Sequence, residues 1–167
     1  MDELTVNVYD AEVGDISPGY EQTAPACLHD VLRRYVLRGA RVLDVGCGSG
    51  RDAAFMHGLG ADVTAVDASA SMIDQAGRLH PELSGRVRQA GLPLPPDDLL
   101  LNETFDVVTC LAVLMHVPDD ELFDVAFQLK QMMRVGGILI LSASVQRPGL
   151  SDDRDEKGRL FLERPPG

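Results

Sequence analysis

The stretch "VLDVGCGSGRDA", residues 42–53, is the most informative part of this chain about its fold. An apolar run ends in Asp44, and glycines then occupy every second position, at Gly46, Gly48 and Gly50. Glycine is costly in regular structure, but it permits tight turns and a close approach between the backbone and a ligand. The stretch therefore predicts a buried strand, a turn that lies directly against a ligand, and a helix after the turn.

The same stretch excludes two common ligands of glycine-rich turns. A phosphate-binding P-loop needs a Lys after its last glycine, and this turn has none. A dinucleotide fingerprint needs a third glycine at the position that Arg51 occupies. Asp44 is placed to accept hydrogen bonds from a cationic group, whereas Arg51 and the N–H groups of the following helix favour a carboxylate. A ligand with an amino-acid end satisfies both demands.

Apolar runs and helical spacings alternate along the rest of the chain. We predict strands at 41–45, 61–67, 86–90, 105–111 and 138–144. In the segments between them apolar residues recur at spacings of three and four, which is typical of helices. The strands are almost continuously apolar, as in parallel sheets that are covered on both faces. We therefore predict an α/β fold: a Rossmann-like, doubly wound, mostly parallel sheet with helices on both faces.

The chain, 167 residues long, has the size of one domain flanked by two less regular segments. Residues 1–24 have weak periodicity and are predicted to form a partly ordered N-terminal arm. Residues 25–145 contain all the predicted strands and form the core. Residues 146–167 are charged and rich in Gly and Pro, so we expect a solvated tail with at most one short strand, at 159–163.

Composition and charge exclude several classes of partner. The formal net charge of −11 repels phosphate backbones and anionic membranes, so we expect neither nucleic acid nor a membrane as a partner. Three widely spaced cysteines without a C-x-x-C pair indicate neither a disulfide framework nor a metal site. The acidic N-terminus lacks the features of a secretory signal, so we expect a cytoplasmic protein.

A second acidic residue, Asp67, ends the predicted strand 61–67. In α/β nucleotide-binding folds an acidic residue at this position contacts ribose hydroxyls. Ligands of open α/β sheets lie at the carboxyl ends of the strands, where Asp44, Asp67, Gly91 and Cys110 are expected to gather. An amino acid, a ribose and an adenine together describe S-adenosylmethionine, which is the cofactor that we predict.

Four segments resemble, in order, the motifs of class I S-adenosylmethionine-dependent methyltransferases of the small-molecule type. They are "VLDVGCGSGRDA" (42–53), "VTAVDASASMIDQA" (63–76), "FDVVTCLAVLMHV" (105–117) and "RVGGILILSAS" (134–144). The resemblance implies transfer of a methyl group from S-adenosylmethionine to a small-molecule acceptor, with S-adenosylhomocysteine as the product.

The resemblance also implies cofactor contacts in addition to Asp44 and Arg51. The matching positions are Gly46, Cys47, Gly48, Gly50, Asp67, Ala68, Met72, Ala90, Gly91, Leu92, Cys110 and Leu111. The glycines pass under the methionine and ribose, Asp67 binds the ribose hydroxyls, and Met72 lies beside the adenine. Many members of the family have an Asp where this chain has Gly91, so the neighbouring backbone is expected to replace that adenine contact.

Two residues are candidates for catalysis. His116 is either a general base, since its side chain titrates near neutral pH, or a structural residue ahead of a helix. Tyr20 lies in the N-terminal arm, which in similar methyltransferases closes over the cofactor and brings a Tyr to the methyl group.

The expected function is methyl transfer to a small molecule; the alternative is a truncated or non-catalytic cofactor-binding module. Class I folds usually add a sixth and a seventh strand, and we expect those C-terminal strands to be missing here. An edge strand left bare favours aggregation, so the chain is expected either to be truncated or to complete its sheet as a homodimer.

Overall fold

Five parallel strands form one sheet in the computed structural model, which describes residues 1–23, 26–143 and 148–164. The strands are β1 (Arg41–Val45), β2 (Asp62–Asp67), β3 (Val87–Gln89), β4 (Phe105–Leu111) and β5 (Met133–Ser142). Their order is β3-β2-β1-β4-β5, and every neighbouring pair is parallel. The predicted sheet is confirmed, and its order reverses at β1, between β2 and β4.

Helices cover both faces of the sheet. They are α1 (Glu3–Ala11), α2 (Val13–Gln22), α3 (Ala26–Tyr35), α4 (Arg51–Gly58), α5 (Ala70–Leu79) and α6 (Leu122–Gln131). Alternate residues of β1 enter two different apolar clusters: Leu43 packs in the cluster that includes α6, and Val42 in the cluster that includes α3 and α4. Burial on both faces explains the continuous apolar runs of the strands.

The N-terminal segment differs from the prediction of a partly ordered arm, because it forms α1 and α2. Asp2 caps α1 by accepting a hydrogen bond from Thr5 N at 2.9 Å. Asp10, at the other end of α1, accepts from Ser71 N of α5 at 3.0 Å. Short helices with weak amphipathicity draw their stability from tertiary packing, and local periodicity does not report such packing.

The C-terminal tail also differs from the predicted solvated loop. Phe161 is buried, with 2% of its surface exposed, and packs edge-on against the His116 ring at 4.7 Å between centroids. The Arg154 guanidinium forms two hydrogen bonds with the Asp2 carboxylate, at 2.8 and 3.0 Å. The tail therefore packs on α1 and beside β4. The predicted strand at 159–163 is not formed; Leu160 makes an isolated bridge with Arg154.

Strand β5 forms an edge of the sheet in the described residues. Val135 of β5 is fully exposed, Leu141 is half exposed, and Phe123 and Phe127 of α6 are exposed as well. Within the described ranges, no helix has both the length and the apolar character that a bilayer crossing requires.

Candidate functional site

A cavity of about 300 Å³ opens at the carboxyl ends of β1, β2 and β4. Its floor is the glycine turn after β1, and its walls come from the segments that follow β2, β3 and β4. Residues of α1 and α2, including Tyr9 and Tyr20, line it as well. The cavity lies where the strand order reverses, which is the usual ligand position in open α/β sheets.

The three glycines of the turn all adopt positive φ angles, of 69° for Gly46, 54° for Gly48 and 88° for Gly50. A Cβ at Gly46 would overlap the Val113 side chain. A Cβ at Gly50 would lie 3.0 Å from the Ala76 Cβ of α5, so this glycine serves helix packing. Gly46, Cys47 and Gly48 line the cavity, whereas Gly50 is not among the described residues that do.

Asp44 lies under the cavity with only 2% of its surface exposed. Thr109 donates its hydroxyl proton to Asp44 Oδ1 at 2.6 Å. Among the described residues nothing donates to Oδ2, which is buried as well. Burial raises the pKa of this carboxyl to about 7, and the negative charges of Asp52 and Asp67 add to the shift. A buried acceptor without a partner is costly, so a ligand N–H or ammonium group would stabilise this site.

Asp67 ties the glycine turn to the end of β2. Gly48 N donates to one carboxylate oxygen at 2.8 Å, and Ser69 N donates to the other at 2.9 Å. Burial raises the pKa of this carboxyl too. Each oxygen has a second lone pair, so the carboxylate can accept ligand hydroxyls while it holds the turn.

Arg51 lines the cavity, but its partners in the structure differ from the predicted partner, which is the carboxylate of the cofactor. Its guanidinium donates to Tyr20 O at 2.6 Å, to Thr23 O, and to Asp52 Oδ2 at 2.6 Å. These bonds join the end of α2 to the start of α4. They hold the N-terminal helices over the turn, a position that fits the predicted closing segment.

Most of the remaining residues that are predicted to contact the cofactor line the cavity, and Cys110 does not. The described residues that line the cavity beyond β2, β3 and β4 include Ala68, Met72, Ala90, Gly91, Leu92 and Leu111. Gly91 lies close to Ala68, since a Cβ there would be 3.1 Å from the Ala68 Cβ. Cys110 is absent from the described lining and is fully buried in the core, where desolvation raises the pKa of its thiol to about 12.

The two predicted catalytic residues meet through a third, Tyr9. His116 Nε2 lies 3.1 Å from Tyr9 Oη, and Tyr20 Oη lies 3.4 Å from the same oxygen. His116 is buried, and its Nδ1 bonds to Leu160 O in the tail. All three side chains line the cavity. Sequence reasoning gave Tyr9 no role, since 107 residues separate it from His116 and no local pattern connects them.

No candidate metal site is found among the described residues. Across residues 1–23, 26–143 and 148–164, no three His, Cys, Asp or Glu side chains are grouped as a metal ion would require.

Residues 42–137 match a family model described as a methyltransferase domain. The chain belongs to this methyltransferase family. The match begins in β1 and ends within β5, so it includes residues of all five strands. The family predicted from the four motifs is thereby confirmed.

Two similar relatives are named as O-methyltransferases of ubiquinone biosynthesis. The chain is 38% identical over 126 residues to a ubiquinone biosynthesis O-methyltransferase of Xanthomonas campestris, which covers 74% of this chain and 51% of the relative. A mitochondrial ubiquinone biosynthesis O-methyltransferase of Schizosaccharomyces pombe is 40% identical over 117 residues, 65% of this chain and 39% of the relative. The chain thus spans about half the length, or less, of these curated relatives.

Solved methyltransferase structures have the same fold. DhpI in complex with SAH superimposes with a TM-score of 0.71 at 25% identity, over 98% of this chain and 81% of that one. The Burkholderia thailandensis 1,6-didemethyltoxoflavin-N1-methyltransferase, with bound 1,6-didemethyltoxoflavin and S-adenosylhomocysteine, gives a TM-score of 0.73 at 21% identity, over 97% and 71%. The predicted Rossmann-like fold class is confirmed.

Proposed function

We propose that this chain binds S-adenosylmethionine and catalyses transfer of its methyl group to a small-molecule acceptor. The observation that carries the proposal is the buried Oδ2 of Asp44, a residue that lines the cavity beside the glycine turn; this oxygen has no hydrogen-bond partner among the described residues. That oxygen suits the ammonium group of an amino-acid ligand, and the turn leaves room for the ligand against the backbone. Membership of the methyltransferase family supports the same ligand.

The residues fit the parts of this cofactor from one end of the cavity to the other. We assign the amino-acid end to Asp44 and the N-terminus of α4, with Arg51 holding α2 beside it. We assign the ribose to Asp67 and the glycine turn, and the adenine to the apolar wall that includes Met72. When bound, the cofactor supplies an electrophilic methyl group on a sulfonium. The chain positions that group and shields it from water with α1 and α2, and such positioning supplies much of the rate.

The residue ranges retain their predicted roles in this proposal. We propose residues 25–145 as the methyltransferase core, 1–24 as the N-terminal arm and 146–167 as the C-terminal tail. The names of relatives and neighbours favour a small organic acceptor: one group is named for O-methylation in ubiquinone biosynthesis, and one neighbour for N1-methylation of 1,6-didemethyltoxoflavin. Both oxygen and nitrogen acceptors are therefore represented.

Calorimetry tests the proposal. The wild type is expected to bind S-adenosylmethionine and S-adenosylhomocysteine, and Asp44→Asn to weaken both by at least tenfold, because it replaces a carboxylate by a neutral amide. Asp74→Asn is the matched control, since Asp74 is exposed on α5 and does not line the cavity. Absence of heat with either ligand in the wild type would refute the proposal.

A cofactor-binding module without catalysis is the second candidate. Incubation with S-adenosylmethionine carrying a labelled methyl group and a panel of small phenols, amines and thiols separates the two. Binding without label transfer to any acceptor supports the module, whereas turnover supports the enzyme.

Location and assembly are further parts of the proposal. We place the protein in the cytoplasm, which is consistent with three cysteines that are all free thiols. We also propose a homodimer through the edge of β5, supported by the exposed Val135 and by Phe123 and Phe127 on the adjacent α6. Light scattering is expected to give a dimer mass that Phe123→Asp reduces to a monomer; a monomeric wild type would exclude this assembly.

A further inference from the structure

We propose that Tyr9 is a catalytic residue that passes a proton from the acceptor to His116, and that the acceptor atom is therefore a hydroxyl oxygen. The inference rests on the proposed function, since it names the acceptor class of the same site. It is built on three positions that are distant in the chain: Tyr9 in α1, His116 after β4, and Leu160 in the tail.

The tail determines which nitrogen of His116 carries the proton. A carbonyl oxygen only accepts hydrogen bonds, so the bond between Nδ1 and Leu160 O requires a proton on Nδ1. In the neutral ring Nε2 then has a lone pair. Tyr9 Oη, 3.1 Å away, must donate to it. His116 is thus arranged to take a proton from Tyr9.

After Tyr9 gives its proton to His116, it can take another from a ligand in the cavity. Its side chain lines the cavity, and the two contacts that its oxygen accepts, from Tyr20 Oη and Arg159 Nη1, are both long. Tyr20 Oη, 3.4 Å away, is a long contact for a hydrogen bond between hydroxyls and leaves room for a closer donor. Burial raises the pKa of the Tyr9 phenol above its usual range, so Tyr9 stays protonated and acts as a relay.

Arg159 supports the charge that a relay creates on Tyr9. Its guanidinium lies over the Tyr9 ring, 5.3 Å from the centroid, and its Nη1 is 3.5 Å from Tyr9 Oη. Asp155 holds the guanidinium in place through a 2.7 Å ion pair. A transient negative charge on the phenol oxygen is therefore stabilised by a fixed cation.

The transfer balances in protons and charge. The acceptor oxygen forms a bond to the methyl carbon as the carbon–sulfur bond breaks, and the bonding pair stays on sulfur. The hydroxyl proton of the acceptor passes to Tyr9 Oη while the proton of Tyr9 passes to His116 Nε2. The imidazolium then carries the positive charge that the sulfonium has lost, and it releases its proton to water after the product leaves.

Nitrogen NMR of the unliganded protein tests the arrangement without turnover. His116 is expected as the neutral Nδ1–H tautomer at about pH 8, with a hydrogen-bonded Nε2. Tyr9→Phe should shift the Nε2 resonance because it removes the Tyr9 hydroxyl, whereas the same change at the exposed Tyr35, Tyr35→Phe, should leave it in place. An Nε2–H tautomer in the wild type would overturn the relay.

Paired acceptors test the chemistry. At about pH 9 a phenol such as p-cresol keeps most of its proton, whereas an aromatic thiol such as p-thiocresol is ionised and needs no base. Tyr9→Phe is expected to slow methylation of p-cresol by a factor of about 100, in the range of general-base effects, and to change p-thiocresol methylation less than twofold. Tyr35→Phe should change neither rate.

The outcomes separate the inference from the proposed function. Equal losses with both probes, no loss with p-cresol, or a wild type that binds the cofactor but does not methylate p-cresol would each overturn the role of Tyr9. A wild type that gives no heat with S-adenosylmethionine refutes the proposed function instead.

Discussion

Thr109 on β4 donates a hydrogen bond of 2.6 Å to one carboxylate oxygen of Asp44 on β1, and the second, buried oxygen has no donor among the described residues. The neighbouring strand thus supplies a hydrogen bond to one oxygen of this buried carboxylate, and a ligand can supply one to the other oxygen. The arrangement costs stability in the free protein, and that cost is measurable.

The first prediction concerns the pH dependence of stability. Folding raises the pKa of Asp44 from 3.8 to about 7, so the unfolded chain ionises first and the free energy of unfolding falls as the pH rises from about 4 to 7. The shift of about three units corresponds to at most about 4 kcal/mol. Asp44→Asn removes this term, so its stability relative to the wild type should increase from pH 5 to pH 8 in urea unfolding. A constant difference would contradict the assignment.

The second prediction concerns the release of a proton from the same carboxyl when the cofactor binds. An ammonium group beside Asp44 requires the ionised form, so binding of S-adenosylmethionine at about pH 6 should release up to one proton. Titrations in two buffers of different ionisation enthalpy measure this number directly. Asp74→Asn should release as many protons as the wild type, and proton release that persists in Asp44→Asn would assign it to another group.

The glycine turn gives a third prediction. Gly46→Ala introduces a Cβ at a φ of 69° and against Val113, and it should destabilise the fold by about 1–3 kcal/mol. Val113→Ala should recover part of that loss in a double-mutant cycle. Gly77→Ala is the control: Gly77 lies within α5 with open space around its Cα, so this change should stabilise by about 0.5–1 kcal/mol. Additive effects of the first two changes would show that the overlap is unimportant.

The ion pair between Asp2 and Arg154 gives a fourth prediction. The Arg154 guanidinium holds the pKa of Asp2 well below its usual range, so the pair stabilises the fold above about pH 4 and this contribution is lost as the pH falls further. Arg154→Met should cost about 1 kcal/mol at pH 7 and expose the tail to proteolysis. Lys157→Met, at the more exposed pair with Glu12, should cost less than about 0.5 kcal/mol. Equal losses of stability in the two variants would contradict a larger contribution from the Asp2–Arg154 pair.

Thiol reactivity gives a fifth prediction. Cys27 is exposed, Cys47 lines the cavity, and Cys110 is buried. Desolvation raises the pKa of Cys47 well above that of a free thiol, so a thiol reagent should modify Cys27 first, Cys47 slowly and Cys110 only on unfolding. S-adenosylhomocysteine should protect Cys47 alone. Protection of Cys27 instead would place the ligand elsewhere.

Local patterns were sufficient for the sheet and for the turn. The apolar runs around Val42 and Val107 specify strands buried on both faces, and the alternating glycines specify a turn that needs positive φ angles. Asp44 and Asp67 could be placed in one cavity because the carboxyl ends of parallel strands meet at one edge of a sheet. These features depend on residues close in the chain or on a general rule of topology.

The parallel sheet, the glycine turn and the two acids at its edge follow from the amino-acid sequence alone. In contrast, the helices over the cavity within residues 3–22, the bonds from Arg51 to that segment and the packing of the tail on His116 are seen only in the folded structure. It also joined Tyr9 to His116 across 107 residues. The physical reason is that these contacts join segments without strong periodicity, whose conformation is stabilised by partners distant in the chain.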